Sequence, residues 1–371
     1  MSQKCYKSAG IEAIHLILMA SSNVAKIAYK TLQQGKNLAG LAHKGVTTKI
    51  MEVMLPDSKS DFPLNPKLLS DLRDSIDLLE QIDWNEAENG IYPVSQLFEA
   101  PWVEWAKKYP LIWLDMPSTW ERRRKSKTRE IPKKIDQDLY PDYYLQNFHH
   151  QTDGYLSEHS AKIYDLQVEI LFNGTADLMR RRILSPLKKG LKEFDDRNTS
   201  RINVLDVATG TGRTIQQIRG ALPDINLYGI DLSGSYLKQA SKYLSSRKGD
   251  LVQLTKGNAE EMPFSDKTFQ GISCVFLLHE LPRKARQNVI NECFRVLEPG
   301  GVFVLADSIQ LSDSLKFKDV MDNFYKIFHE PYYKDYINDD IEKRLTEAGF
   351  VNITANSHFM TRVWSATKPK I

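Results

Sequence analysis

Hydrophobic and polar residues follow two different patterns along this chain, and the change falls near residue 155. Beyond it, short apolar runs typical of buried strands alternate with stretches whose apolar residues recur every three or four positions, as on one face of a helix. Strands that alternate with helices form parallel sheets. The pattern therefore predicts an α/β fold with strands at 204–208, 227–231, 252–256, 271–277, 302–307, 352–355 and 362–367.

Before residue 155 the pattern is helical or weak. Apolar residues recur at helical spacing from about 11 to 55, and Gly35, Gly40 and Gly45 predict breaks between two or three short helices. Another helix is expected at 68–82, whereas 84–155 is rich in Pro, Trp, Tyr and charge and is predicted to be irregular. We therefore expect an amino-terminal, mainly helical and irregular accessory region at 1–155, and an α/β core at 156–371.

Composition and charge narrow the class of protein. The share of hydrophobic residues is 42%, that of charged residues is 26% and the net charge is +3, which is ordinary for a soluble protein and indicates no polyanionic partner. Residues 1–50 contain seven lysines and one acid, so peripheral contact with an anionic membrane surface stays an alternative. No segment is apolar enough to span a bilayer. Cys5, Cys274 and Cys293 have no paired spacing, which favours buried thiols and a cytoplasmic location.

Glycines follow the first predicted strand, at the edge of the sheet where open α/β folds bind ligands. Gly210 and Gly212 permit a tight turn and a close approach of a ligand to the backbone. With Asp206 they form the spacing D-x-x-x-G-x-G, which suits a methyltransferase. A nicotinamide-dependent oxidoreductase would need a third glycine where Ile215 stands.

Polar residues also follow the next two strands. Asp231 has two acceptor oxygens that can bind both hydroxyls of a ribose. At Asn258 and Ala259, a side-chain carbonyl and a backbone amide can bind an adenine. These positions predict a site for a nucleoside-containing cofactor.

The fourth strand leads into LLHEL at 277–281, near the place where the reacting group would lie. His279 titrates in the range of a general base, although capping of the next helix is an equal alternative, and Glu280 is a similar candidate. An H-E-x-x-H zinc motif is excluded by Arg283, and no metal site is predicted.

These motifs carry a family resemblance. Residues 201–308, including GNAEEMPFSDKTF and LEPGGVFVLADS, resemble the core of the class I S-adenosylmethionine-dependent methyltransferases, and most closely the ubiquinone/menaquinone C-methyltransferase group. Ala208 stands where many members have glycine, and Tyr164 with Asp165 resembles the helix before their core. Asn258 replaces the more usual aspartate, and residues 1–155 have no counterpart in the quinone enzymes.

The resemblance implies a Rossmann-like sheet of order 3-2-1-4-5-7-6, with the seventh strand antiparallel, and S-adenosylmethionine as cofactor. The residues expected to bind this cofactor are Asp206, Ala208, Gly210, Gly212, Asp231, Leu232, Asn258, Ala259 and Tyr164. The general base is sought among His279, Glu280, Tyr164 and His150. His150 belongs to FHHQTDGY at 148–155, which is either a polar turn or a lid over the site.

The sequence thus predicts a methyltransferase that moves a methyl group in line to a small-molecule acceptor of lipophilic, quinone-like or phenol-like character. The alternative is a non-catalytic S-adenosylmethionine-binding protein with a regulatory or assembly role. Nucleic acid is not expected as a substrate, because the N-P-P-Y type motif of base-amino methyltransferases is absent after the fourth strand. The oligomeric state is not predicted.

Overall fold

A seven-stranded sheet forms the centre of the molecule in the computed structural model, which describes residues 22–54 and 66–370. The strand order is β3-β2-β1-β4-β5-β7-β6, which confirms the predicted topology. Strand β7 runs antiparallel to both neighbours, and the other pairs are parallel. The strands are β1 (Asn203–Val207), β2 (Asn226–Asp231), β3 (Gln253–Lys256), β4 (Phe269–Val275), β5 (Leu297–Ser308), β6 (Val351–His358) and β7 (Thr361–Thr367).

Helices cover both faces of this sheet, so the central strands are buried on both sides and read as continuous apolar runs. Every residue of β4 is buried. The helices of the carboxyl-terminal part are α4 (Glu158–Leu171), α5 (Ala176–Arg181), α6 (Leu184–Leu191), α7 (Arg213–Ala221), α8 (Gly234–Ser245), α9 (Arg283–Val296), α10 (Lys318–Ile327), α11 (Tyr333–Tyr336) and α12 (Ile341–Glu347). The apolar face of α9 packs on β4 and β5 through Val289, Ile290 and Cys293.

Three long helices precede this core: α1 (Ser22–Met54), α2 (Pro66–Glu88) and α3 (Trp102–Arg124). The predicted breaks at Gly35, Gly40 and Gly45 were wrong, because α1 continues through all three glycines. The earlier part of the predicted helical stretch, residues 11–21, lies outside the described residues. At Gly40 the lack of a side chain lets α1 approach Asn173, whose Cα would lie 3.0 Å from an added Cβ. Glycine inside a helix costs only about 1 kcal/mol, which packing of this kind can offset.

Helix α3 lies within the segment predicted to be irregular, so that prediction was also wrong in part. Pro110 and Pro117 stand inside the helix. Its buried residues Trp105 and Ile112 pack against Ile163 of α4. Tertiary packing therefore maintains a helix whose local sequence argues against one.

A buried ion cluster fastens the amino-terminal helices to the core. Asp83 of α2 accepts hydrogen bonds from Arg181 Nε at 2.8 Å and Arg181 Nη2 at 2.6 Å, and also from Arg182. The hydroxyls of Tyr29 and Tyr92 each donate to Asp83 at 2.8 Å. The two regions pack together across residue 155, while the domain boundary itself stays a prediction.

Cys274 and Cys293 are free and buried, as predicted, and Cys5 lies outside the described residues. The first part of the lysine-rich amino terminus, residues 1–21, lies outside them as well. Among residues 22–54 and 66–370, no helix combines the length and the apolarity needed to cross a bilayer.

Candidate active site

The glycine loop after β1 forms one wall of a cleft at the carboxyl edge of the sheet. Ala208, Gly210 and Gly212 all have left-handed backbone angles, with φ of 56°, 53° and 83°. Ala208 and Gly210 line the cleft, whereas Gly212 lies behind it, where an added Cβ would be 3.1 Å from Leu244 Cδ1. The loop thus turns sharply into α7 and exposes backbone to the cleft, which suits contact with a nucleoside-containing ligand.

Asp206 lies beneath this loop and is not among the residues that line the cleft. Its carboxylate accepts hydrogen bonds from the hydroxyls of Thr209 at 2.7 Å and Ser273 at 2.6 Å. Burial raises the pKa of Asp206 to about 7. The structure therefore places Asp206 as a brace between the loop and β4.

Asp231, at the end of β2, lies on the opposite side of the loop and does line the cleft. Its carboxylate accepts the backbone N–H of Gly210 at 2.8 Å and that of Ser233 at 2.8 Å. Desolvation by the surrounding protein raises the pKa of Asp231 to about 6, although both amide hydrogen bonds oppose the shift. A carboxylate offers about four lone-pair positions, so acceptor capacity remains for two ribose hydroxyls.

The far end of the cleft is formed by Leu232, Asn258 and Ala259, all of which line it. Asn258 Oδ1 accepts the backbone N–H of Glu260 at 3.0 Å, which fixes the side chain and leaves one lone pair on the carbonyl. The cleft encloses about 960 Å³, including its open mouth. The residues present therefore fit a nucleoside cofactor with a ribose at Asp231 and a base at Asn258.

Tyrosines cover the cleft from the other side. The ring of Tyr164 on α4 lies 5.9 Å from that of Tyr155 and 5.4 Å from that of Tyr236, centroid to centroid. All three line the cleft together with Tyr144. Tyr164 was predicted from the sequence, whereas Tyr236 was not. Its place in the first turn of the helix after Asp231 was the signal that could have indicated it.

A second cavity, called here the acceptor cavity, opens beside the cleft and encloses about 590 Å³. It shares Tyr164, Phe276 and Glu280 with the cleft. Aromatic and apolar side chains dominate its wall, and its other lining residues are His149, Val168, Leu171, Phe172, His279, Ser308, Phe324, Tyr333 and Met360.

His279 presents a histidine–aspartate pair to this cavity. Its Nδ1 lies 2.6 Å from Asp307 Oδ1, and Asp307 also accepts the backbone N–H of Leu278 at 2.6 Å. Burial lowers the pKa of His279, but the Asp307 carboxylate raises it more, to about 9. This value is close to the pKa of about 10 of a phenol, so the transfer of a proton from a phenol to the neutral ring of His279 costs little free energy.

Glu280 lies where the cleft and the acceptor cavity meet. It accepts a hydrogen bond from the Tyr155 hydroxyl at 2.5 Å. The Nε2 atoms of His149 and His279 lie 3.4 Å and 3.8 Å from the same oxygen, Oε1. The structure therefore brings together the predicted residues Tyr164, His279 and Glu280.

The structure does not bring His150 to either space, since it lines neither of them. Burial lowers the pKa of His150 to about 4, so it is neutral at ordinary pH. Its neighbour His149 lines the acceptor cavity instead. Both residues have left-handed backbone angles, with φ of 55° and 57°. The sequence therefore could not show which of the two side chains faces the acceptor cavity.

A third, outer cavity of about 1050 Å³ continues from the acceptor cavity between α1, α3 and α4. The two cavities share His149, Tyr164, Val168 and Leu171. Most of its exposed lining area is apolar, with contributions from Ile112, Met116, Trp120 and Phe328, although half of its lining residues are polar or charged, such as Lys44. The accessory region thus supplies much of the wall of a space that leads to the candidate reaction centre.

Comparison with known proteins shows which family the core of this chain resembles. Residues 204–301 match the model of a family described as a methyltransferase domain. The chain is 33% identical over 108 residues to the demethylmenaquinone methyltransferase of Symbiobacterium thermophilum, which covers 29% of this chain and 42% of that protein. It is 30% identical over 168 residues to the demethylmenaquinone methyltransferase of Anoxybacillus flavithermus, covering 40% of this chain and 70% of that protein.

Among solved structures, human N-acetylserotonin methyltransferase in complex with S-adenosylmethionine is similar, with a TM-score of 0.45 and 13% sequence identity. The similarity covers 68% of this chain and 67% of the human chain. The match to the Symbiobacterium enzyme spans less than half of that protein.

Proposed function

Because this chain belongs to the class I S-adenosylmethionine-dependent methyltransferases of the menaquinone-like group, we propose that it methylates a hydroxylated aromatic acceptor with an apolar substituent. The observation that carries this proposal is the acceptor cavity, an aromatic space that opens off the cofactor cleft and contains the His279–Asp307 pair. The names of the relatives, demethylmenaquinone methyltransferases, support an acceptor of this class.

S-adenosylmethionine, when bound, supplies an electrophilic methyl group on its sulfonium. In this proposal Asp231 holds the ribose, Asn258 and Ala259 hold the adenine, and the backbone at Gly210 contacts the remaining part. Tyr164 covers the cofactor at the junction with the acceptor cavity. The chain thereby fixes the direction from which the acceptor must approach, as an in-line displacement at the methyl carbon requires.

His279 is the proposed base. Asp307 holds the proton on Nδ1, so Nε2 accepts the proton of the acceptor hydroxyl when the ring is neutral. Because the pKa of His279 is about 9, the neutral ring is the minor form at pH 7, and its share rises as the pH approaches 9. The acceptor oxygen, or a ring carbon made electron-rich by it, then forms the bond to the methyl carbon as the carbon–sulfur bond breaks. Identification of the product distinguishes attack by oxygen from attack by carbon.

The apolar substituent is assigned to the outer cavity, because this space is continuous with the acceptor cavity. The helices that line it also expose apolar side chains on their outer surfaces, with Leu38 and Leu41 of α1 and Leu114 of α3 between 51% and 75% exposed. This surface supports the proposal that a lipophilic acceptor reaches the enzyme from a membrane surface.

Methyl transfer from labelled S-adenosylmethionine tests the proposal with two acceptors, a naphthoquinol with one prenyl unit and the unsubstituted naphthoquinol. Burial of an alkyl chain is worth about 0.8 kcal/mol per carbon, so we expect kcat/KM to be at least about tenfold higher for the prenylated compound. Equal values for the two acceptors, or no methylation of either, would contradict the proposed acceptor class.

A pair of variants on α1 locates the substituent. Thr47→Trp fills part of the outer cavity and should raise KM for the prenylated acceptor only. Val46→Trp is the matched control, because Val46 is 49% exposed and does not line this cavity. Equal kinetics for both variants and the wild type would place the substituent elsewhere.

A further inference from the structure

Three side chains from distant parts of the sequence converge beside the acceptor cavity: His149, Glu280 and Glu330. One ligand atom of each lies within 4.8 Å of the others. His149 Nδ1 lies 2.8 Å from Glu330 Oε1, and His149 Nε2 lies 3.4 Å from Glu280 Oε1. One metal ion can bind only one of the two ring nitrogens of His149. Ligands of one ion are at most about 4.2 Å apart, twice a bond of about 2.1 Å, so side-chain rotations must draw the three ligand atoms together from their present limit of 4.8 Å.

Glu330 provides an independent sign that this cluster holds a ligand. Its side chain is fully buried. Its Oε1 lies 2.8 Å from His149 Nδ1 and forms an ion pair when that nitrogen is protonated, whereas its Oε2 has no hydrogen-bond partner among the residues that the structure describes. A buried carboxylate is strongly unfavourable unless a cation compensates it, and either a protonated His149 or a bound metal ion can do so here.

We propose that His149, Glu280 and Glu330 bind one divalent transition-metal cation at the wall of the acceptor cavity. A metal ion can bind the His149 nitrogen only in its deprotonated form, so binding displaces any proton held there. Two carboxylates and the neutral imidazole then carry a charge of −2, which a divalent cation balances. The imidazole nitrogen favours zinc or manganese over magnesium or calcium, which prefer sites made of oxygen ligands alone. No metal site was predicted from the sequence, because the three proposed ligands share no spacing motif.

The position of the cluster gives this cation a role that rests on the proposed function. His149 and Glu280 both line the acceptor cavity, so an oxygen of the acceptor can complete the coordination shell. Coordination would orient the acceptor hydroxyl and favour its ionised form, with the released proton passing to His279. Cation binding itself requires neither the acceptor nor turnover, and is therefore tested separately.

Calorimetry on the full chain, after treatment with a chelator and its removal, measures binding of ZnCl₂, MnCl₂ and MgCl₂. We expect one Zn²⁺ or Mn²⁺ per chain, with Mg²⁺ at least about tenfold weaker. Glu330→Gln and Glu280→Gln each remove one ligand charge and should weaken binding by at least about tenfold. His150→Gln is the matched control, because His150 neighbours a proposed ligand without lining the acceptor cavity.

Each variant is also tested for S-adenosylmethionine binding, which reports an intact core. If Glu330→Gln loses the fold, Glu280→Gln decides the matter, because Glu280 lies at the cavity surface with 13% of its side chain exposed. No saturable binding of Zn²⁺ or Mn²⁺ at millimolar concentration, or equal binding by the folded variants and the wild type, overturns the proposal. Metal binding without methyl transfer would leave this site in place and refute the proposed function alone.

Discussion

Replacement of Asp231 by asparagine tests the assignment of the cofactor ribose. The carboxylate receives the N–H groups of Gly210 and Ser233, both at 2.8 Å, and is proposed to receive two ribose hydroxyls as well. Asparagine keeps the shape and one acceptor oxygen but replaces the other oxygen with a donor. The NH₂ group of asparagine then faces another donor, which is either a backbone N–H group or a ribose hydroxyl. In both cases that donor has lost its acceptor.

The expected loss follows from the strength of these bonds. A hydrogen bond to a charged group contributes about 1.5–3 kcal/mol. Loss of one such bond at Asp231→Asn should therefore raise the Kd of S-adenosylmethionine by a factor of about 10 to 150. Because the pKa of Asp231 in the free protein is about 6, wild-type binding should also weaken below pH 6, by up to about tenfold per pH unit.

Calorimetry at pH 5, 6, 7 and 8 measures both effects. Asp231→Asn should show weak binding that varies little with pH, because the variant has no carboxyl group to protonate at this position. Asp224→Asn serves as control, since Asp224 is an exposed carboxylate in the loop before β2. Affinity within twofold of the wild type in Asp231→Asn, or an unchanged pH dependence, would refute the ribose assignment.

Three further predictions concern the base, the join between the two regions and the brace under the loop. His279→Gln should lower kcat by about 10² to 10⁴-fold and leave the Kd of S-adenosylmethionine within twofold; an unchanged kcat would exclude His279 as the base. Asp83→Asn leaves Arg181 and Arg182 without the buried negative charge that they share. The free energy of unfolding, measured in urea, should therefore fall by about 3–5 kcal/mol. A loss below about 1 kcal/mol would show that the cluster contributes little to stability. The pKa of the Asp206 carboxyl is about 7 in the folded protein and about 3.9 in the unfolded chain. The free energy of unfolding of the wild type should therefore fall as the pH rises from 4 to 7, by at most about 4 kcal/mol. Urea unfolding at pH 5 and pH 8 should show a smaller decline in Asp206→Asn, and an equal decline in both proteins would contradict this cause.

The sheet and the cofactor cleft were predictable because their signals are local. Each central strand is a continuous apolar run, and residues such as Asp231 and Asn258 directly follow strands that end at one edge of the sheet. Helix α1 was not predictable as one element, because its continuity at Gly40 depends on contact with Asn173, more than 100 residues away.

The acceptor side was only partly predictable for a related reason. LLHEL follows a strand, so His279 and Glu280 could be found from position alone. The presence of His149 rather than His150 in the acceptor cavity depends on two successive left-handed residues, which no periodic pattern indicates. Glu330 follows α10 in a segment without a motif, and only the folded chain brings it to His149.

The central claim is that the chain catalyses methyl transfer to a lipophilic acceptor, and one measurement tests it most directly. Purified protein is incubated with methyl-labelled S-adenosylmethionine and the lipid fraction of a cell extract, and labelled products are separated and identified by mass spectrometry. We predict one methylated aromatic product in the organic phase, formed by the wild type and strongly reduced with His279→Gln. Cofactor binding without a labelled product, or label confined to water-soluble compounds, would contradict the account.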